Sequence, residues 1–480
     1  MDNFEGIDEK LKAKKDSNKE DRVTYSLDAP GTIDVLVVEE KLVYLTEGLN
    51  LVDTIRVEDK VFAPPPKSSI PYFIADADKV FHYLAEYKAN LRHSLDLYEE
   101  LLTYHKNISD LPHEAYYDLL ALWDFHTYLL DKLHFSPIIY LYAVKERGKS
   151  RTGKGCIYVS RRGVWTETVR EADIIRWGND HKAALGFDVK DAPKKFQRAN
   201  CDDLILARFE EGSSSSRTLW PEKGAFRDTK TFNLFGPTII ATNRPVDDIL
   251  ESRAISVDMK PTGKVFNNPV TPKDAWELKA RLTAFRILHY QDELKEVDKP
   301  ASGRLGDIAG SLYKIVTTYF PEKEASFARL LNIISERKKE DATDSLEAKV
   351  LEMVIDLNYE VEKGFLSIEA VTKKINTGKE ERFTLAEDVI GRILRGLGFV
   401  KKRTAGKRGI FYDLDLIEKL KLNYGLDTSN DTSDTETDIP NKDSDPSEDS
   451  GISEAESHES QVSPSKLTQT ELSYTEEVEA

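Results

Sequence analysis

The chain has 480 residues, enough for two or three domains with proper cores, and sets 68 Lys and Arg against 85 Asp and Glu, a formal charge of −17. At face value that excess of acid argues against a nucleic-acid partner. Residues 427–480, however, hold 16 acids against 2 lysines, which leaves only −3 for the 426 residues before them, so local basic patches remain open.

Two cysteines, Cys156 and Cys201, exclude a disulfide scaffold and lack metal-ligand spacing. The first residues have no apolar signal-peptide core, and no apolar run reaches membrane-spanning length. The expectation is a cytoplasmic, soluble chain with no membrane partner.

Residues 1–22 are polar and charge-mixed, as in a disordered arm. Residues 23–66 alternate apolar and polar residues in short runs (TIDVLVVE, LVYLTEG) and close on Pro64, Pro65 and Pro66, a stiff linker. They read as a small β-rich unit, a hairpin appendage. Residues 67–136 are helical in pattern: Val80, Tyr83, Leu84 and Tyr87 share a face, and Trp123, Phe125, Tyr128 and Leu129 form an aromatic stripe that suits a core.

Residues 137–262 carry the chemistry. The run IIYLY at 138–142 reads as a buried strand, and AVKERGKS at 143–150 then fits the phosphate-loop pattern with Ala143 in place of the first glycine. Backbone N–H groups at a helix start would cradle phosphate. Lys149 would reach the β and γ phosphates, and the Ser150 hydroxyl would hold Mg²⁺. A second register, GKSRTGKG at 148–155, has the same spacing but ends in Gly155, which has no hydroxyl for a metal. The preferred register is that of Lys149. A basic surface turn without a ligand is the competing reading of the bare motif.

The following helix is expected over 151–162, weakened by Gly153 and Gly155 at about 1 kcal/mol each, with another helix over 167–177. Residues 183–191, AALGFDVKD, read as a strand ending in acid, where Asp188 could serve a magnesium ion through water. PTIIAT at 237–242 is a further strand ending in Asn243, placed to sense the γ-phosphate or the attacking water. Arg253 follows closely and could stabilise transferring phosphate, on its own subunit or on a neighbour in a homo-oligomeric ring.

In this order the pieces HTYLLDKLHFSPIIYLY, GKSR, FGPTIIATNRP, ESRAI and GRLGDIAGSLYKIV, spread over residues 123–320, resemble the helicase-like P-loop ATPases of plasmids, phages and integrated elements. These are relatives of the AAA+ and superfamily-three helicases. The resemblance implies an α/β P-loop NTPase core that uses ATP and Mg²⁺. It makes Gly148, Lys149, Ser150 and Arg151 the nucleotide contacts, Ser150 and Asp188 the metal side, Asn243 the sensor and Arg253 the finger. One departure stands out: Val189 follows Asp188 where the family has a second acid, so the expected catalytic glutamate is missing and Asp191 becomes the candidate base.

Residues 263–342 read as a helical lid or connector with Leu282, Phe285 and Leu288 inside. Residues 343–426 read as a self-contained unit: helices over 346–357 and 368–375, a capping box at 384–387 that starts a third helix, then two strands around a basic turn. Helix, helix, helix and β-wing is the winged helix-turn-helix arrangement, and GRILRGLGFVKKR resembles winged-helix ends in the same mobile-element proteins. Arg392, Arg395, Lys401, Lys402, Arg403, Lys407 and Arg408 would meet DNA, the helix in the major groove and the wing on phosphate; protein contact is the competing use. Residues 427–480 form an acidic tail with too few apolar residues to fold. Two functions follow. One is a DNA-associated helicase-like ATPase in replication or transfer of a mobile element. The other is a DNA-binding regulator in which ATP sets conformation or assembly without significant turnover.

Overall fold

The structure is a computed structural model. It describes residues 23–426 except 91, 145, 246–247, 262, 302, 344, 379–383 and 405. The arm at 1–22 and the tail at 427–480, both expected to be disordered, lie outside the described residues.

Six short strands open the chain: β1 (Val23–Tyr25), β2 (Thr32–Val38), β3 (Lys41–Thr46), β4 (Leu51–Val52), β5 (Ile55–Val57) and β6 (Lys60–Ala63). They form two three-stranded sheets, β1-β6-β5 and β2-β3-β4. Expected as an appendage, this unit is instead clamped to the rest of the chain by charge. Asp34, buried on β2, meets Arg161 Nε at 2.9 Å, Arg162 Nη2 at 3.3 Å and Arg286 Nε at 3.5 Å. Burial opposes the charge on Asp34, yet these guanidiniums hold its carboxyl well below the usual carboxylate range. The partners come from segments 127 and 252 residues away, which is why no local pattern announces the docking.

Three helices follow, α1 (Ala77–Ala89), α2 (His93–Ile108) and α3 (Ala115–Tyr128). Trp123, Phe125, Tyr128 and Leu129 are all buried, so the aromatic stripe is core. The next elements are β7 (Ile138–Tyr142), α4 (Lys149–Val159), β8 (Val164–Thr166), α5 (Glu171–Asn179), β9 (Leu185–Asp188), α6 (Ala192–Arg198) and α7 (Asp202–Leu206). After them come β10 (Ser214–Thr218), β11 (Thr229–Asn233), β12 (Thr238–Thr242), α8 (Asp248–Glu251) and β13 (Ala254–Asp258).

Five of these strands make one parallel sheet in the order β13-β7-β12-β9-β8. Alternate residues of β7 serve opposite cores: Ile139 and Leu141 face the helices α1–α3, whereas Ile138 and Tyr140 pack with Leu185, Phe187 and Phe196. A parallel sheet buried on both faces needs such continuous apolar runs, and IIYLY and TIIAT supply them. The pair β10 and β11 stands apart as an antiparallel hairpin.

Helices α9 (Trp276–Leu288), α10 (Gly303–Tyr319) and α11 (Glu324–Thr343) close over the α1–α3 side, with Leu282 and Phe285 buried and Leu288 half-buried. Residues 346–426 have a core of their own, built from Val350, Leu351, Leu366, Ile390, Leu394 and Ile410 among others. Its elements are α12 (Leu346–Asp356), β14 (Phe365–Ser367), α13 (Ile368–Asn376), α14 (Glu387–Gly396), β15 (Lys401–Thr404), β16 (Lys407–Phe411) and α15 (Leu414–Tyr424), with sheet order β14-β16-β15. The third helix, α14, starts at Glu387 with Ala386 at its N-cap, where no side chain bonds the cap, so it begins later than the expected start at Thr384.

Candidate functional site

In a parallel sheet every strand ends at the same edge, and ligands of open α/β folds sit outside those carboxyl ends. The register fixes what gathers there. Tyr142, the last residue of β7, lies beside Thr242 on one side and Asp258 on the other, and Ala241 lies beside Asp188. The residues just beyond these pairs are the loop after β7, Asn243 and the segment 189–191. Asp188 is two strands from β7, about 10 Å at the usual strand spacing.

The loop is short and turns through left-handed backbone at Glu146 (φ 62°) and Gly148 (φ 78°). Gly148 is the N-cap residue of α4, which begins at Lys149, and Thr152 N–H donates to the Gly148 carbonyl at 2.9 Å. The helix thus starts two residues earlier than expected, and Lys149 and Ser150 occupy its first turn. Among the described residues, neither side chain is engaged by a protein partner.

The second register fails on packing. Gly153 and Gly155 lie inside α4, where a Cβ at 153 would stand 2.6 Å from Trp165 Cη2 and one at 155 would stand 2.0 Å from Ile108 Cδ1. These glycines let the helix approach its neighbours; they do not bend a loop around an anion. Arg151, expected at the nucleotide, is committed elsewhere: its Nε donates to Ile108 O at 2.7 Å and its guanidinium lies over the Phe266 ring at 4.6 Å.

At the end of β12, Asn243 Oδ1 is buried and has no hydrogen-bond partner among the described residues. A buried polar atom left unpaired is costly, and this one lies at the edge where the loop and Asp188 converge. The 189–192 segment is laced to the same strand: Val189 N–H donates to Ala241 O at 3.0 Å, and Ala192 N–H to Thr242 Oγ1 at 3.3 Å. Asp191 is thereby held beside Arg244, with Oδ2 4.0 Å from its Nε. Arg244 follows Asn243 in the run TNRP and was not singled out from sequence, because a charged residue after a strand has no distinguishing pattern.

Arg253 is not with this group. Its carbonyl accepts from Ile138 N–H at 3.2 Å, and Ile138 is the first residue of β7. Arg253 therefore sits at the amino edge of the sheet, about 15 Å from the loop after β7 along a five-residue strand. An arginine finger acting on its own subunit is excluded by that placement.

In the C-terminal unit the expected cations do cluster. Arg392, Arg395, Lys401, Lys402, Arg403 and Arg408 line a groove of about 340 Å³ between α14 and the β15–β16 hairpin, and Lys407 is exposed beside it. Three of them are partly occupied: Arg408 donates to Asp388 at 2.7 Å and Glu387 at 3.1 Å, Arg392 Nε to Asp388 O at 3.4 Å, and Lys402 to Lys363 O at 3.2 Å. The close approach of β14 to β16 depends on Gly409, where a Cβ would meet Leu366 O at 2.3 Å.

A feature missed entirely is the β10–β11 hairpin, inserted between β9 and β12. Its loop exposes Trp220 and a fully exposed Phe226, with Lys223 Nζ 3.9 Å from the Trp220 ring centre and Arg227 nearby in sequence. Serines and threonines on both faces of its strands leave no hydrophobic period to find.

The fold is mixed α/β with a parallel sheet, consistent with a P-loop NTPase-like core. Among the described residues no helix is long and apolar enough to cross a membrane. No family model matches the sequence, and no curated protein matches it. Among solved structures, the chain is similar to an active helicase, Cch of SCCmec type IV, at 11% identity over 86% of this chain and 84% of that one, with a TM-score of 0.35. It is also similar to the apo C-terminal region of NrS-1, at 11% identity over 78% of this chain and 95% of that one, with a TM-score of 0.28. Similarities this slight carry no functional argument.

Proposed function

We propose that this chain is a DNA-associated, helicase-like ATPase acting in replication or transfer of a mobile element, with an α/β P-loop core and a C-terminal winged helix. The observation that carries the reading is the convergence of three expected groups at one sheet edge. These are the Gly148-Lys149-Ser150 turn at the start of α4, Asp188 at the end of β9, and the orphaned Asn243 oxygen at the end of β12. The donor set fits Mg²⁺–ATP: one hydroxyl and one carboxylate suit a magnesium ion that keeps its remaining positions for water and phosphate. Bound there, the nucleotide supplies the phosphoryl group, and the metal neutralises its charge.

Each residue then has a task. Lys149 pairs with phosphate oxygens, and the first N–H groups of α4 point at the same place. Asn243 finds its missing partner in the γ-phosphate or in the water beside it. Asp191, held by the 189–192 lacing, is the nearest candidate to orient that water where Val189 replaces an acid. Arg253 acts across a subunit interface, in a homo-oligomeric ring.

DNA contact falls to the cations of α14 and the β15–β16 wing. A second contact is the β10–β11 hairpin, whose exposed aromatics and lysines suit single strands, since bases stack on rings while phosphates meet cations. The reading of ATP as a switch, in a DNA-binding regulator without significant turnover, is favoured by one pair of facts: Val189 follows Asp188, and Arg253 is remote from its own nucleotide.

Steady-state ATP hydrolysis with and without single- and double-stranded DNA tests both. DNA-stimulated turnover that vanishes in Lys149→Ala supports the motor. Nucleotide binding without turnover selects the switch, and absence of nucleotide binding removes both.

A further inference from the structure

A cavity of about 850 Å³ has no residue in common with the loop at 143–150. It lies between the N-terminal β unit, the linker that follows it, the flank of α4, and the start of α9. The volume falls within the range of roughly 300–1,000 Å³ usual for small-molecule sites. Its walls are rich in rings: Tyr72 and Phe73 from the linker, Tyr158 from α4, Trp165 from β8 and Trp276 from α9. Phe73 and Trp276 stack on one another, centroids 4.8 Å apart and planes 14° apart, so the pair offers a flat aromatic surface on its outer face.

The charges in the wall are unbalanced in one direction. Glu40 is paired with Lys67, and Asp76 accepts from Asp78 N–H at the start of α1, so both carboxylates are occupied. Lys154 has no acid partner among the described residues. Lys279 is only 4% exposed, and its ammonium has one acceptor, the Ser160 carbonyl, for three protons. Burial drives the Lys279 pKa down to about 7 from 10.5, against the pull of Asp34 and Asp124. At that pKa the buried amine can shed its proton, and an anion in the cavity would favour the charged form and use its spare donors.

We propose that this cavity is a binding site for a small planar aromatic anion, its ring laid on the outer face of the Trp276–Phe73 stack and its acid group held by Lys154 and Lys279. Such a ligand uses the flat surface, the unmatched positive charge and the volume together. Water alone would satisfy the lysines but leave five rings around an open space, and an apolar ligand would leave the lysines unmet. The site stands whatever the phosphate loop binds.

Anilinonaphthalene sulfonate, a fluorescent aromatic anion, is the probe, titrated into the full chain. The expected result is saturable one-to-one binding with energy transfer from tryptophan. Lys154→Gln should weaken it at least tenfold, the loss expected for one charge-assisted contact, and Trp276→Ala should weaken it several-fold. Lys149→Ala should leave it unchanged, while ATP binding should show the reverse pattern, lost in Lys149→Ala and kept in Lys154→Gln. Should Lys154→Gln fail to fold by circular dichroism, Trp276→Ala on the exposed rim carries the test. Unsaturable binding, equal binding by the wild type and both cavity variants, or loss of the probe in Lys149→Ala overturns the proposal.

Discussion

Replacing Gly153 by alanine separates the two registers of the loop, because each assigns that glycine a different duty. If residues 148–155 wrapped a phosphate, a side chain at 153 would disturb the ligand and leave packing alone. In the structure Gly153 lies in α4 against Trp165. Alanine gains about 1 kcal/mol of helix propensity there. Its Cβ, however, would stand 2.6 Å from Trp165 Cη2, and the same ring is already pressed on Gly186, whose Cβ would lie 2.5 Å from Cε3. A rigid indole held at two points has little room to retreat, and overpacking of this kind costs about 1–3 kcal/mol. The net effect is a loss of order 1 kcal/mol, a fall of about 2 °C in the thermal transition, with nucleotide affinity intact. Lys149→Ala should do the opposite. Losing one charge-assisted phosphate contact costs ~1.5–3 kcal/mol, tenfold to more than a hundredfold in affinity, while the transition stays where it was. Thermal melts and titration with a fluorescent ATP analogue read both quantities on the same samples. A Gly153→Ala protein that melts normally and no longer binds nucleotide would refute the register and the site built on it.

Reversal of Lys401, Lys402 and Arg403 to Glu should weaken DNA binding strongly, and each lost phosphate contact should make the log–log salt slope shallower by about 0.9; unchanged binding in a salt titration would move the interface elsewhere. Arg253→Ala should keep ATP affinity and lose turnover, by roughly 10³ to 10⁵ where such a finger operates. Mixing it with Lys149→Ala should restore part of the activity, whereas normal turnover by Arg253→Ala alone removes the residue from the mechanism. Burial pushes the pKa of His126 down to about 4 from 6.5, so between those values the unfolded chain binds the extra proton. Stability should therefore fall as pH drops from about 6.5 towards 4, by about 3 kcal/mol for this group. His126→Gln should flatten that part of a melting-temperature profile, and an unaltered profile would show that the ring titrates normally.

What was legible in the sequence is what short-range pattern can carry. IIYLY followed by AVKERGKS reads as strand, turn and helix because burial on both faces and left-handed backbone each leave a local mark. The C-terminal helices and hairpin were readable for the same reason, and the third helix, α14, buries Ile390 and Leu394. The β10–β11 hairpin left no mark, since neither of its faces is buried. Nor did the Asp34 cluster, whose partners are far apart in the chain. Gly153 and Gly155 were visible but misread: propensity scored them as weakness, when contacts with Trp165 and Ile108 require them. The large cavity has no signature at all, because its walls come from four separate segments.

The position of Arg253 followed from topology more than from any residue pattern. Strands β12 and β13 are both parallel to β7, so the chain leaving β12 at the carboxyl edge must return to the amino edge before β13 begins. A residue just before β13 lies at the amino edge, whatever its side chain. Lys149, Asp188 and Asn243 each follow a strand and stand at the other edge. The single chain therefore separates the proposed nucleotide groups from its arginine by the length of the sheet, a gap no side chain spans. A second copy, set with its amino edge against the first copy's carboxyl edge, can bring them together. With Val189 in place of an acid, a lone chain has Asp191 and Asn243 to order water, and Arg244 beside Asp191 is already drawn towards that carboxylate. Turnover per chain should accordingly depend on protein concentration, rising as copies associate, while nucleotide affinity should not.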